Sequence, residues 1–105
     1  MIHSDWMNCT ITIASDDDLS AEVDLGKPYD ELEVYIPTLT SADLTLYVSE
    51  TAGGTYSPVG SSVTVAAGTG AYFDTWILGG NQHIKIGTSA GQAANRTFRV
   101  RGVRS

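Results

Sequence analysis

Apolar residues recur at every second position along most of this chain, the spacing of a strand that turns one face to a core and the other away from it. In NCTITIA, residues 8–14, Cys9, Ile11 and Ile13 share a face while Thr10 and Thr12 take the other. LEVYIP, residues 32–37, sets Leu32, Val34 and Ile36 inward and Glu33 and Tyr35 outward, and LTLYVSE, residues 44–50, does the same with Leu44, Leu46 and Val48 against Thr45, Tyr47 and Ser49. SVTVA, AYFDTWIL, QHIKI and RTFRVR continue the pattern, with Val63, Val65, Ile84, Ile86, Phe98 and Val100 on inward positions. Seven strands follow, and residues 19–25 or 55–59 raise the count to eight or nine.

Between the runs stand turn formers: SDDD at 15–18, GKP at 26–28, SAD at 41–43, AGG at 52–54, AAGTG at 66–70, LGGN at 78–81 and SAGQAAN at 89–95. Turns at such short intervals between half-buried strands predict an all-β, single-domain antiparallel β-sandwich of about seven to nine strands, jelly-roll or immunoglobulin-like. The hairpin LTLYVSETAGGTYSPV is scaffolding on this reading, since glycine supplies the turn and Pro58 ends or edges the returning strand. TSAGQAANR, residues 88–96, offers at most one helical turn, and its glycine favours a loop.

Composition agrees with the pattern. The chain has 105 residues, enough for one core and not for two, and Gly, Ser, Thr, Val and Ala outnumber strong helix formers. A domain of this size buries roughly 60–70% of its unfolded surface and gains from a partner that covers more. Cys9 is the only cysteine and sits on an inward position, so it reads as a small buried hydrophobe. The opening MIHSDWMNCT has neither a basic start nor a long apolar run, so no signal peptide and no membrane span are expected.

Charge changes the picture more than composition does. All twelve carboxylates lie in residues 1–74 with Lys27 as the one base, while residues 75–105 hold Lys85, Arg96, Arg99, Arg101 and Arg104 and no acid. Either strands from the two ends pair and neutralise each other, or a basic edge meets a complementary neighbour. A pI near 4.5 argues against free nucleic acid as a partner.

Catalytic chemistry finds little footing. His3 lies at the start of the chain, His83 is expected outward beside Lys85, and neither has a nucleophile near it in sequence. No enzyme activity and no cofactor are expected. Asp16, Asp17 and Asp18 with Glu22 and Asp24 supply hard oxygen ligands, but three adjacent aspartates lack the spacing and the glycine of a calcium loop, which leaves weak calcium binding open and a solvated acidic loop as the plainer reading. Tyr35, Tyr47 and Trp76 could instead form a sugar-stacking platform, although aromatics also populate protein interfaces.

LTLYVSETAGGTYSPV, followed after a short gap by AYFDTWILGGNQHIKIGTSAGQAANRTFRV, resembles small virion proteins of tailed bacteriophages across residues 44–101. The resemblance implies a β-sandwich component of the particle: a capsid decoration (cement) protein that bridges capsomers, or a glycan-binding or structural module of a head fibre, neck or tail. It implies the major capsid protein and copies of the chain itself, as a homotrimer, for partners, and the outer surface of the capsid for location after synthesis in the host cytoplasm. It carries over no functional residues. The expected contacts come from the residues themselves: Ile2, Trp6 and Met7 in an N-terminal arm at 1–7 ahead of the sandwich at 8–105, and Lys85, Arg99, Arg101 and Arg104 on the basic edge.

Overall fold

The computed structural model describes residues 2–12, 19–59, 64–89, 92 and 94–104. Ile13, Val63 and the aspartates Asp16, Asp17 and Asp18 lie outside the described residues, and the calcium expectation lies there with them. Six strands occur in the described chain, β1 (Ile2–His3), β2 (Met7–Ile11), β3 (Val23–Ser49), β4 (Ser57–Pro58), β5 (Thr64–Thr88) and β6 (Arg96–Arg104), with no helix among these residues. Every pairing is antiparallel. The fold is all-β.

β3 and β5 run straight through GKP, SAD and LGGN, where the sequence predicts turns. Those residues bend the strands instead of ending them. Gly26 takes a φ of 91° and its amide donates to Asp24 Oδ1 at 2.8 Å, a local turn inside a continuing strand. The β3–β5 register shifts between Asp24 and Tyr29 and again between Thr38 and Ala42.

These bends sort the strands into two hydrogen-bonded groups. In the first, β2, β6, residues 31–36 of β3 and residues 72–77 of β5 lie side by side in that order. In the second, residues 83–88 of β5 lie between 23–24 and 44–49 of β3, since Ile84 pairs with both Val23 and Val48, and the far side of 44–48 meets β4 and residues 64–65. Ser20 ties the groups together. Its amide donates to the Ile86 carbonyl at 2.8 Å, its hydroxyl accepts from the Ile86 amide at 2.9 Å, and Cys9 Sγ lies 3.1 Å from the same hydroxyl.

Both groups feed one core. Leu32, Val34, Ile36, Leu44, Leu46, Ile84, Ile86, Phe98 and Val100 are completely buried, as their alternation predicts, and Cys9, Ile11, Leu25, Tyr29, Trp76 and Leu78 complete the cluster. Gly102 is fixed by this packing: a Cβ there would come within 2.2 Å of the Tyr29 ring. Glycine is what lets Tyr29 lie flat against β6.

Residues 2–7, the expected N-terminal arm, run along β6 of the same chain. Ile2 and His3 pair with Arg104 and Val103, and Ser4 exchanges hydrogen bonds with Gly102, donating from its amide to the carbonyl and accepting from the Gly102 amide at its hydroxyl, each at 2.9 Å.

Candidate functional site

The outward face of the first strand group follows from the pairing. Tyr35 stands opposite Phe73 on one side and Arg99 on the other, and Glu33 stands between Thr75 and Arg101. Tyr35 and Phe73 are in ring contact at 4.9 Å, and Trp6, carried there by the segment between β1 and β2, meets Phe73 edge-on at 6.1 Å. The Arg101 guanidinium lies 4.6 Å from the Trp6 ring and donates from both Nε (3.2 Å) and an Nη (3.0 Å) to Glu33 Oε1. It is fully engaged.

Arg99 is not. Its guanidinium lies 6.0 Å from Trp6, the residue is exposed, and it has no ion pair among the described residues. Trp6, Tyr35, Phe73 and Arg99 line a surface depression of about 360 Å³. Phe73 is 65% exposed, and Ile77 two positions along the same face is 62% exposed. Apolar area beside a free guanidinium suits a partner that offers an apolar group next to a carboxylate.

The other expected contact residues are spread out. Ile2 and Arg104 are exposed and face each other across β1 and β6. Met7 packs against the core. Lys85 belongs to the second strand group, where its ammonium sits 4.8 Å over the Tyr56 ring and its backbone pairs with Tyr47. Of the interface candidates, Trp6, Arg99 and Arg101 come together, with Tyr35 from the sugar-stacking set.

Two expectations need correction. Trp76 is not a surface platform: it is 4% exposed, and its indole N–H donates to Asp74 Oδ2 at 3.1 Å. On its strand, 74, 76 and 78 point inward while 73, 75 and 77 point out. His83 is not exposed either; it is buried, 3.9 Å from Asp24 Oδ1, and its Nδ1 has no hydrogen-bond partner among the described residues. Ile84 and Ile86 keep the inward phase, so His83 lies on the opposite face and is covered there, on a middle strand between Asp24 and Ser49. Phe73 and Ile77 escaped the sequence reading because AYFDTWIL is apolar on both faces, so period alone cannot say which face is buried.

Titratable groups cluster at the far end of the molecule, beside the 51–56 turn. Glu22 accepts hydrogen bonds from the Tyr56 hydroxyl and, at 2.7 Å, from the Gly53 amide, and these hold its carboxyl below its usual range. Asp24 is lowered in the same way by Gln82 and the Gly26 amide. Burial, then Glu22, raises the Tyr56 phenol. Burial pushes the Cys9 thiol up to about 11, which keeps it protonated at neutral pH. A polar depression of about 450 Å³ nearby is lined by residues such as Thr51 and Ser49, whose hydroxyl donates to the Thr51 carbonyl at 2.8 Å.

No protein-family model matches the chain, and no curated protein matches it in sequence. Among solved structures, the SPBc2 prophage-derived protein YomS superposes on 97% of this chain and 97% of its own, with a TM-score of 0.58 and 12% identity. The likeness is one of fold. A family 89 glycoside hydrolase from Clostridium perfringens, in complex with 2-acetamido-1,2-dideoxynojirmycin, matches over 95% of this chain with a TM-score of 0.50 and 18% identity. There the match spans only 14% of the larger enzyme. The same enzyme with PUGNAc matches over 97% of this chain and 14% of its own, with a TM-score of 0.50 and 15% identity.

Proposed function

We propose that this chain is a structural virion protein of a tailed phage, and specifically a capsid decoration (cement) protein. Its two strand groups form the two layers of a sandwich, and the outward face of the first, with Trp6, Tyr35, Phe73 and Arg99, presses onto the major capsid protein. The observation that carries this reading is that face: the most exposed large apolar side chains of the described sheet lie on it, beside an arginine with no ion pair among the described residues. The end-to-end likeness to a prophage-derived protein supports it, as does the resemblance of residues 44–101 to phage virion proteins. On the outer surface of the capsid, each copy adds a modest contact that symmetry repeats across the shell. Once seated on the shell, the assembly this role favours is a homotrimer around a lattice axis, with one patch of each copy against a different patch on the next.

The experiment is co-sedimentation of purified protein with heads that lack it. The wild-type chain pellets with heads, and Arg99→Glu does not while remaining folded. Protein that never associates with heads, or an Arg99→Glu variant that binds as wild type, ends the proposal.

The aromatic depression also favours a second reading, a glycan-binding module of a head fibre, neck or tail. Tyr35 stays in that site, with Trp6 and Phe73 in place of Tyr47 and Trp76. Host adsorption lost on Trp6→Ala, with particle stability intact, selects it over the capsid role.

A further inference from the structure

Residues 72–77 of β5 form the free border of the first strand group. Among the described residues they pair only with β3, in an unbroken register from Glu31↔Ile77 to Ile36↔Tyr72. The Thr75 amide donates to its neighbour Asp74 Oδ1 at 2.8 Å, so it points away from β3. Alternation in an antiparallel ladder then directs the N–H and C=O groups of Phe73 and Ile77 to the open side as well. Exposed borders of this kind are ordinarily blunted by charged side chains, lysine above all, by proline or by a bulge. YFDTWI has no lysine or proline and its register has no bulge; its one charge, Asp74, is taken up by the Thr75 amide and the Trp76 indole of its own strand.

The segment is also complementary to itself. Set antiparallel to a second copy and centred on Thr75, each Phe73 stands opposite the other Ile77, the threonines face each other, and each Asp74 meets Trp76. Moved one residue toward the N-terminus, the pairing sets the two Asp74 carboxylates directly opposite one another. Moved one residue the other way, it puts Phe73 opposite Gly79 and Ile77 opposite Thr75, losing both apolar pairs. The Thr75-centred register pairs Phe73 with Ile77 on both sides of the axis and keeps the two Asp74 carboxylates apart.

We infer that residues 72–77 are a strand-addition surface whose occupant is the same segment of a second copy, about a twofold axis at Thr75. The first strand group then continues across the axis as one sheet, and the two exposed Phe73–Ile77 faces become a single apolar surface. Pairing replaces the Asp74 cap on each Thr75 amide with a carbonyl of the second copy, so no donor is left unsatisfied. The contact is short, so the pairing is weak and the dimer is populated only at high protein concentration.

This inference does not rest on the capsid role, and sedimentation equilibrium tests it from micromolar to about 1 mM protein. The wild-type mass rises from 11.1 kDa toward twice that value, and amide exchange at Phe73, Thr75 and Ile77 slows over the same range. Thr75→Pro stays at the monomer mass; its amide makes no bond to β3, so proline leaves the ladder intact. Phe73→Lys, which keeps the Thr75 backbone, also stays monomeric and decides the matter should Thr75→Pro fail to fold. Arg99→Glu dimerises as wild type, which separates this contact from capsid docking. A wild-type mass that stays at 11.1 kDa, a threefold mass, or a Thr75→Pro and Phe73→Lys pair that both dimerise overturns the inference.

Discussion

The outward face around Trp6 and the turn end around Tyr56 are both built from aromatic and charged residues on strands, yet they spend those residues differently. At the turn end the groups close on one another: Glu22 takes the Tyr56 hydroxyl and the Gly53 amide, Asp24 takes Gln82 and the Gly26 amide, and Lys85 lies over the Tyr56 ring. On the outward face the same kinds of group are left half used. Arg101 is held by Glu33 and Trp6, whereas Arg99 reaches only the Trp6 ring and has no ion pair among the described residues, and Phe73 and Ile77 keep most of their area in water. A region whose polar groups are consumed internally has stability to give and little to offer a partner. A region with free guanidinium and apolar area gains most from being covered.

The largest effect expected is on the support beneath the outward face. Gly102→Ala drives a Cβ into the Tyr29 ring, and since neither β6 nor the buried ring can move freely, the variant loses about 2–3 kcal/mol in urea unfolding. If it loses none, the face is softer than its packing implies and the contrast between the two regions weakens.

Next comes the face itself. Trp6→Ala and Arg99→Glu each weaken association with heads by about 2 kcal/mol, roughly thirtyfold. Arg99→Glu leaves the melting temperature near wild type, because Arg99 makes no ion pair among the described residues. Tyr56→Phe, at the other end, leaves head binding unchanged. Equal losses from Arg99→Glu and Tyr56→Phe would dissolve the distinction drawn between the regions.

How much of this was legible in advance depended on whether a strand had one apolar face or two. Leu32, Val34 and Ile36, with polar neighbours between them, announce the inward face without ambiguity, and so do Phe98 and Val100 between arginines. The outward placement of Arg99 and Arg101 came from the same alternation. AYFDTWIL carries apolar residues in both phases, so Trp76 reads as exposed as easily as Phe73, and only the pairing with β3 separates them. Continuous β3 and β5 were hidden for another reason: a glycine with positive φ serves a bulge as well as a turn, and the choice is made by partners distant in sequence. The charge pattern left two readings open, and the first is met in part: Glu33 pairs with Arg101 within the chain, while Arg99 makes no ion pair among the described residues.

A smaller effect is expected at the seam between the strand groups. Ser20→Ala leaves the buried Ile86 amide without its acceptor and removes the Cys9 contact, at about 1–2 kcal/mol in thermal or urea unfolding. Ser20→Thr keeps the acceptor and recovers part of the loss. Because the Cys9 thiol is raised from 9.0 to about 11 in the folded chain, it adds a base-side dependence: stability falls as pH climbs from about 9 toward 11, where the unfolded chain gives up its thiol proton first. Cys9→Ala flattens that limb, and iodoacetamide at pH 8 reacts with Cys9 only as fast as the chain opens.

The smallest effect is at the turn end, and it is read as a pH dependence. The folded Glu22 carboxyl lies below its ordinary value of 4.5, chiefly because it accepts from the Tyr56 hydroxyl, so the unfolded chain binds its proton first on acidification. The contribution of Glu22 is therefore complete above pH 4.5 and is lost as the pH falls through the lower folded value. Tyr56→Phe removes the largest cause of that lowering and makes the stability curve shallower below pH 4.5, with no change at neutral pH beyond the lost hydrogen bond. Asp24, lowered by Gln82 and Gly26, keeps its own share of the acid limb, and Gln82→Ala trims it independently. Because both carboxylates are solvent-exposed, salt screens these contributions, and the difference between Tyr56→Phe and wild type is clearest at low ionic strength. An acid limb in Tyr56→Phe identical to wild type would mean that the turn end is not clamped by Glu22, and that its polar groups are as free as those of the opposite face.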